Sequence, residues 1–134
     1  FAGNDVIRIF ELALFCFVTG NSDMHLKNFS LLRNNDEDTE FSPAYDLLAV
    51  KLLMPQDKEE LALTLNGKKS NLHKKDFEKF ADGLVIVKKV RENTFSKLSN
   101  SQKAFKDFTD LSFLNDEMKE GYKSLISERL SKLQ

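Results

Sequence analysis

Cysteine is almost absent from this chain. One cysteine, Cys16, occurs among 134 residues, and it lies inside an apolar run. A single thiol can form neither an intramolecular disulfide nor a cysteine-based zinc site. Small domains stabilised by disulfides or by cysteine-bound zinc are therefore excluded. This sparing use of cysteine fits a reducing compartment such as the cytoplasm. We expect Cys16 to be a buried, unreactive thiol.

An excess of charge of either sign is also missing. The chain has 20 Lys and Arg against 21 Asp and Glu, for a formal net charge of −1. No overall positive field attracts nucleic acid or an acidic membrane, so we expect no direct nucleic-acid binding. Two lysine pairs, Lys68-Lys69 and Lys74-Lys75, could meet an acidic partner, although a solvated surface is the default interpretation.

No hydrophobic run is long enough to cross a bilayer. The most apolar stretch, Val6 to Val18, is interrupted by Arg8 and Glu11 and is shorter than the roughly 20 residues that a spanning helix needs. We therefore expect no membrane association and predict a buried core helix here. Hydrophobic residues make up 41% of the chain, and 12 Phe with no Trp predict one domain with a phenylalanine-rich core.

Glycine is scarce, with five residues, and none of them forms a Gly-x-Gly-x-x-Gly or Walker pattern. A phosphate-covering loop is therefore missing from these residues. The chain also begins with Phe1 rather than Met and enters an apolar helix almost at once. We expect it to be a fragment of a larger protein.

The first half of the chain predicts a helix, a loop and a hairpin. Asn4 is a suitable N-cap for a helix that runs to about Thr19, and Gly20 is expected in the left-handed conformation that ends it. A loop over 20–28 follows. Strands over 29–33 and 40–42 would flank a polar tip at 34–38, which would bring Asn28 and Asp46 together at the open end.

The second half predicts one further strand and then helices. Residues 61–65 alternate like a strand and are closed by a tight Asn66-Gly67 turn. Helical patterns follow from about residue 72: one to Gly83, then about 85–98, about 101–110, and a last helix capped by Asn115. The fold class is thus mainly α with a small β-hairpin element (α+β). We expect these phenylalanines in the core: Phe77, Phe80, Phe105, Phe108 and Phe113.

Three polar residues carry the chemistry of this sequence. Asp23 and Asn28 stand in the spacing Asp-x-x-x-x-Asn, and Asp46 follows the return strand. Phosphoryl transfer needs this combination, because one Asp orients the attacking hydroxyl while an Asn oxygen and a second carboxylate hold magnesium on the nucleotide phosphates. Asp and Asn are also common loop residues, so the spacing alone carries little weight.

The surrounding residues strengthen this interpretation. Residues 20–31, Gly-Asn-Ser-Asp-Met-His-Leu-Lys-Asn-Phe-Ser-Leu, and 42–48, Ser-Pro-Ala-Tyr-Asp-Leu-Leu, closely resemble the HipA-like serine/threonine kinase family. The resemblance covers about residues 14–48 and continues more weakly around 65–69 and 75–77. It implies that 1–134 is the C-terminal lobe of a protein-kinase-like fold. The catalytic loop would be 20–28, the metal-binding segment 42–48 and the helical remainder about 72–133.

The resemblance also implies roles for single residues. Asp23 matches the catalytic aspartate, and Asn28 and Asp46 match the magnesium ligands. Leu47 and Leu48 follow Asp46 where ordinary protein kinases have Phe-Gly, so no mobile Phe switch is expected. Lys27 could neutralise charge on the transferred phosphate or be a solvated loop lysine. His25 could brace the loop; a zinc role lacks partners, because His73 is the only other histidine.

The family further implies ATP as co-substrate, Mg²⁺ as cofactor and a protein serine or threonine as acceptor. Characterised members are toxins of bacterial toxin–antitoxin modules that phosphorylate aminoacyl-tRNA synthetases, and a HipB-like DNA-binding antitoxin restrains them. Their nucleotide-gripping lobe lies N-terminal to this region, so this chain alone should be inactive. Two alternatives remain open. One is a non-catalytic scaffold that docks an antitoxin. The other is a small-molecule kinase, because Asp-x-His-x-x-Asn is similar to the catalytic loop of aminoglycoside and choline kinases.

Overall fold

The fold is α+β, mainly helical with one two-stranded antiparallel hairpin, as predicted. The computed structural model describes residues 2–33 and 38–134, with side chains from residue 3 onward. Its elements in those ranges, in chain order, are α1 (Ala2–Thr19), β1 (Leu31–Arg33), β2 (Thr39–Phe41), α2 (Val50–Leu53), α3 (Lys74–Gly83), α4 (Lys88–Asn100), α5 (Gln102–Leu111) and α6 (Asp116–Ser131).

Helix α1 forms the centre of the domain. Phe10, Leu14 and Phe17 are fully buried, as expected for a helix that is apolar on most of its faces. The helix already begins at Ala2, so the prediction of Asn4 as its N-cap is wrong: Asn4 lies within the first turn. None of the described helices is long and apolar enough to cross a membrane.

Gly20 ends α1 in the predicted left-handed conformation, with φ of +71°. It is also closely surrounded. A Cβ atom placed there would lie 2.8 Å from Leu125 Cδ2 of α6 and 2.9 Å from Lys51 Cβ of α2. Glycine is therefore needed twice, for its backbone conformation and for the close approach of two neighbouring helices.

The hairpin pairs β1 with β2 in antiparallel register, Leu31 opposite Phe41. The Ser42 N–H donates to the Ser30 carbonyl at 2.9 Å, which extends the pairing by one step toward the open end. Strand β1 starts two residues later than predicted, because Phe29 still closes a 3-10 turn over Leu26–Asn28. The predicted polar tip, 34–38, falls largely on 34–37, which lie outside the described residues.

The predicted strand over 61–65 is wrong. Leu61, Ala62 and Leu65 are buried, but the backbone there forms only one bridge, between Leu65 and Lys68. The apolar residues of this segment are buried without strand pairing: the Leu61 N–H, like that of Glu60, donates to the Lys69 carbonyl in a loop. The tight turn is confirmed, with φ of +50° at Asn66 and +75° at Gly67.

The C-terminal helices follow the predicted order. The predicted N-cap of α6 is confirmed, because the Asn115 side chain accepts a hydrogen bond from the Met118 N–H at 2.9 Å. Helix α3 ends at Gly83, as expected. Helix α4 starts at Lys88 rather than near Val85, because Val85 adopts a left-handed φ of +58° that no continuous helix allows.

Two of the five phenylalanines predicted in the core are on the surface. Phe77 is fully buried and Phe80 and Phe105 are half-buried, but Phe108 is 75% exposed and Phe113 is completely exposed. Helix α5 packs on α4 and α6. It presents Phe105 to the core, whereas Phe108 faces an open groove and Phe113 lies beyond the helix end. Apolar character alone did not distinguish these positions.

Candidate active site

The loop after α1 presents Asp23 to solvent on a rigid support. The carboxylate of Asp23 is half exposed. Its backbone N–H donates to Oδ1 of Asn21 at 3.1 Å, and Asn21 is buried with 1% of its surface exposed. This side-chain-to-backbone turn fixes the main chain that carries the carboxylate. The Asn21 side chain thus shapes the turn that carries Asp23.

Asn28 is held beside Asp23 at the end of the same loop. Its side chain is buried, and Nδ2 donates to the Asp23 carbonyl at 3.2 Å, while the Asn28 N–H donates to the His25 carbonyl at 2.9 Å. No described residue donates a hydrogen bond to Asn28 Oδ1. The amide is thus oriented by its nitrogen, which leaves its oxygen as a candidate metal ligand.

Asp46 lies on the return segment in an unusual backbone conformation. Its φ is +54°, in the left-handed region that Asp and Asn tolerate better than most residues, and it is exposed. The residue before it, Tyr45, reaches across the hairpin end: its hydroxyl donates to the Lys27 carbonyl at 3.1 Å and lies 2.6 Å from Ser30 Oγ. The segments that carry Asn28 and Asp46 therefore lie side by side, as the sequence predicted.

His25 faces the Asp23 carboxylate. Its Nε2 lies 3.2 Å from Asp23 Oδ1, and its N–H donates to the Asp23 carbonyl at 2.8 Å. The bracing role predicted for His25 fits these contacts. His73 belongs to another part of the fold, where it precedes α3 and its Nδ1 lies 3.0 Å from the Asn71 carbonyl.

Lys27 lies on the 3-10 turn between His25 and Asn28, with its side chain exposed. Its main-chain carbonyl, rather than its amine, makes the contact with Tyr45. The amine therefore stands free of the hydrogen bonds that shape the loop. A role at the transferred phosphate stays a prediction.

A hydrogen bond between Ser22 and Asp57, which the sequence did not reveal, also holds the loop in place. The Ser22 hydroxyl donates to Asp57 Oδ2 at 2.7 Å, and the Lys51 N–H donates to the Gly20 carbonyl at 3.0 Å. The hydrogen bond from Ser22, together with one from the Glu59 N–H and the charge of Lys51, lowers the pKa of Asp57 below its ordinary value. Only the chain fold brings residues 22 and 57 together, so no local sequence signal could have shown this.

The lysine pairs are engaged in ion pairs within the domain. Lys68 lies 2.9 Å from Asp76, Lys69 lies 3.3 Å from Glu59, and Lys74 lies 3.9 Å from Glu92. These contacts favour a structural surface over a basic docking patch. Cys16 is buried as expected, and burial raises the pKa of its thiol to about 12.

Asp76 is fully buried at the start of α3. Burial alone would raise its pKa, but hydrogen bonds from Lys68, Asn66 and the His73 N–H outweigh that effect and hold the pKa at about 2. The carboxylate therefore links the Asn66-Gly67 turn to α3. Its role is structural, remote in sequence from the loop that carries Asp23.

The donor set of the candidate site suits a hard cation. An amide oxygen of Asn28 and the carboxylate of Asp46 are oxygen ligands of the kind that Mg²⁺ takes, and Mg²⁺ usually draws its other ligands from water and substrate phosphates. Within 2–33 and 38–134, no group of three or more His, Cys, Asp and Glu side chains is placed to hold a metal. A site made of two protein ligands fits a metal that arrives with a nucleotide.

The chain is similar to known proteins. The profile of the HipA-like C-terminal domain matches residues 2–108. Two proteins of Sinorhizobium fredii (strain NBRC 101917 / NGR234) are similar in sequence. "Putative kinase Y4mE" is 30% identical over 115 residues, which are 80% of this chain and 27% of the relative. "Putative kinase Y4dM" is 33% identical over 87 residues, 64% of this chain and 21% of the relative.

A solved structure has the same fold. A chain of the Shewanella oneidensis MR-1 toxin–antitoxin complex of HipA, HipB and operator DNA superposes with a TM-score of 0.72 at 23% identity, over 93% of this chain and 30% of that one. This chain thus spans about a quarter of the length of its curated relatives. The profile covers most of the chain, and the chain belongs to the HipA-like C-terminal domain family.

Proposed function

We propose that this domain is the catalytic and magnesium-binding lobe of a kinase that transfers the γ-phosphate of ATP to a serine or threonine of a protein. One observation carries the proposal. Asp23 and Asn28 are tied together through the Asn28 Nδ2 hydrogen bond, and Tyr45 holds the segment of Asp46 against the same loop. A hydroxyl-orienting carboxylate thus stands beside two oxygen ligands for magnesium.

Each residue then has one task in the transfer. The half-exposed Asp23 carboxylate accepts a hydrogen bond from the acceptor hydroxyl, orients its oxygen toward the phosphorus and takes its proton late in the reaction. Asn28 Oδ1 and the Asp46 carboxylate would hold a magnesium ion, which would supply positive charge to the phosphate oxygens. His25, 3.2 Å from Asp23, restricts the carboxylate to one orientation. Lys27 offers a positive charge near the transferred group.

Exposed apolar side chains next to the site support a contribution from a second lobe. Leu26 and Leu31 expose 73% and 67% of their surface and line the same groove beside the hairpin. Apolar groups clustered in this way usually mark an interaction surface. We propose that a nucleotide-gripping lobe, in the part of the relatives that this chain does not span, covers them. The isolated domain is then inactive.

The biological setting is proposed from the family and from the solved relative. We propose that the whole protein is the toxin of a toxin–antitoxin module in the cytoplasm, where a HipB-like DNA-binding antitoxin restrains it. The similarity to a chain of a complex named for HipA, HipB and operator DNA supports this setting. The acceptor would be a protein, such as an aminoacyl-tRNA synthetase. The domain itself, with a net charge of −1, would not contact nucleic acid.

Phosphate transfer by the full-length protein tests the function. With radiolabelled ATP and Mg²⁺, the wild type should label a protein serine or threonine, and Asp23→Asn and Asp46→Asn should each abolish labelling while retaining the fold by circular dichroism. Asp107→Asn is the matched control, because Asp107 is 56% exposed, similar to Asp23 at 52%, and among the described residues it pairs with Lys103 of α5 alone. Its labelling should equal that of the wild type.

The outcomes separate the alternatives. Near-normal labelling by Asp23→Asn or Asp46→Asn would disprove the assigned roles. A wild type that transfers no phosphate but binds an antitoxin would indicate a scaffold. Transfer only to aminoglycoside or choline-like acceptors would indicate a small-molecule kinase.

A further inference from the structure

We infer that Tyr45 is a positioning residue that sets the place of Asp46 at the metal site. The inference rests on the proposed function and extends it to a residue with no reactive group of its own. Tyr45 directly precedes Asp46, and its hydroxyl contacts the loop that carries Asn28. The two proposed metal ligands are therefore joined through one phenol.

The hydrogen bonds around this phenol have a defined direction. The Tyr45 hydroxyl donates its proton to the Lys27 carbonyl at 3.1 Å. Because a phenol has one proton, the 2.6 Å contact with Ser30 requires the serine hydroxyl to donate to the Tyr45 oxygen. The phenol thus uses both its donor and its acceptor capacity, and both contacts lie on the segment just before β1.

Regular pairing does not reach Asp46, which explains why such a contact is needed. The ladder of β1 and β2 ends with the bond from Ser42 N–H to the Ser30 carbonyl. Beyond it, Pro43 has no N–H to donate. The chain then turns through the left-handed conformation of Asp46, at φ of +54°. Asp tolerates this conformation better than most residues, but the conformation still has a cost in energy that surrounding contacts offset. The contacts of Tyr45, at the neighbouring position, help to hold the chain in it.

The chain contains its own control. It has two tyrosines, and the second, Tyr122, also donates its hydroxyl to a main-chain carbonyl, that of Thr19 at 3.0 Å. That bond joins α6 to the end of α1 instead of the hairpin end. Tyr122→Phe therefore removes the same kind of hydrogen bond as Tyr45→Phe, but at the end of α1 instead of at the hairpin end.

The first measurement is amide hydrogen exchange of the full-length protein. Tyr45→Phe should speed exchange in 44–48 by about 10-fold, whereas Tyr122→Phe should leave these amides unchanged. Ser30→Ala removes one of the two contacts and should speed exchange less. In the double variant, Ser30→Ala should add little to the effect of Tyr45→Phe, because both substitutions act through one oxygen. Unchanged exchange in Tyr45→Phe would overturn the inference.

The second measurement is metal affinity. Groups that orient a metal ligand typically change affinity by 10–100-fold, so Tyr45→Phe should raise by about 10-fold the Mg²⁺ concentration for half-maximal phosphate transfer. Excess Mg²⁺ should restore most of the rate, and the KM for the protein acceptor should stay within about 2-fold. A purely structural loss would lower the rate at every Mg²⁺ concentration. A half-maximal concentration within 2-fold of the wild type would overturn the inference.

Binding of Mn²⁺ with ATP, followed by electron paramagnetic resonance, separates this inference from the proposed function. If the wild type transfers no phosphate but Tyr45→Phe weakens Mn²⁺ binding about 10-fold, the positioning role stands and the kinase function fails. If transfer occurs and Mn²⁺ affinity is equal in both proteins, the kinase function stands and the positioning role fails.

Discussion

The Ser22 hydroxyl donates a 2.7 Å hydrogen bond to the Asp57 carboxylate across 35 positions of sequence. Ser22 immediately precedes Asp23, the proposed catalytic residue, and Asp57 follows α2. The segment after α2 thereby supports the loop that carries Asp23.

Ser22→Ala should raise the pKa of Asp57 toward its ordinary value, because the hydrogen bond from Ser22 is the largest cause of its lowering. A lowered carboxyl pKa contributes stability above the ordinary pKa, and this contribution is lost as pH falls through the folded-state pKa. Side-chain carboxyl NMR titration measures the change. Ser70→Ala is the control, since that hydroxyl bonds to the Lys58 carbonyl at 2.7 Å. Equal Asp57 titration in the wild type and Ser22→Ala would contradict the assignment.

Acid should destabilise the domain through Asp76. Its pKa is about 2 in the folded state, against 3.8 ordinarily, so the unfolded chain binds the proton first as pH falls. The ionised Asp76 adds about 2 kcal/mol to the free energy of unfolding. This contribution is fully present above about pH 5 and declines through pH 4 to 2. Urea unfolding at several pH values measures it.

Asp76→Asn should flatten that acid dependence and destabilise the domain at pH 7 by about 3 kcal/mol, because it leaves Lys68 without its charged partner. Asp82→Asn is the control, with a side chain 68% exposed on the same helix. If the slope between pH 5 and 2 is the same in the wild type and Asp76→Asn, the loss of stability comes from other carboxylates.

Gly20→Ala should destabilise the domain by about 3 kcal/mol. About 1 kcal/mol comes from the left-handed backbone, and the remainder comes from contacts below 3 Å with Leu125 and Lys51. Gly67→Ala separates the two terms, because Gly67 has a similar φ of +75° but open space around it. It should cost only about 1 kcal/mol. Thermal and urea unfolding measure both variants, and equal losses would show that the close approach at Gly20 is relieved at no cost.

The isolated 134-residue domain should bind Mg–ATP weakly, because its five glycines form no phosphate-covering loop. Calorimetric titration with Mg–ATP measures the affinity, and a dissociation constant in the micromolar range would refute the need for a second lobe. The same titration with Asp46→Asn shows whether residual binding uses the proposed metal site.

The structure shows which predictions local sequence can support. Gly20 and Asn115 end and begin helices through their own backbone and side-chain chemistry, so both were predictable. The 61–65 segment failed because a strand needs a partner, and its backbone bonds go to Lys69 instead. The apolar character of Phe108 predicted a core position, but only the positions of α4 and α6 decide which face of α5 is covered.

Some features of the candidate site were also predictable from the sequence, and others were not. The spacing of Asp23 and Asn28 within one loop was visible in the sequence, and the hairpin pattern predicted that Asp46 would come near them. The contacts that hold the site were not visible, because Tyr45 and Asp57 act through side chains that reach across the fold. The roles of Asp23, Asn28, Asp46, Lys27 and His25 await the experiments proposed above.

Cys16 makes this domain convenient for site-directed labelling. Its thiol is buried within α1 and stays protonated at neutral pH, with a pKa of about 12, whereas maleimides and iodoacetamides react with exposed thiolates. A fluorophore attached through Lys27→Cys would therefore be placed selectively, next to Asp23 and away from the hydrogen bonds of the loop. Its emission could report nucleotide, acceptor or antitoxin binding in real time, with the native cysteine left in place.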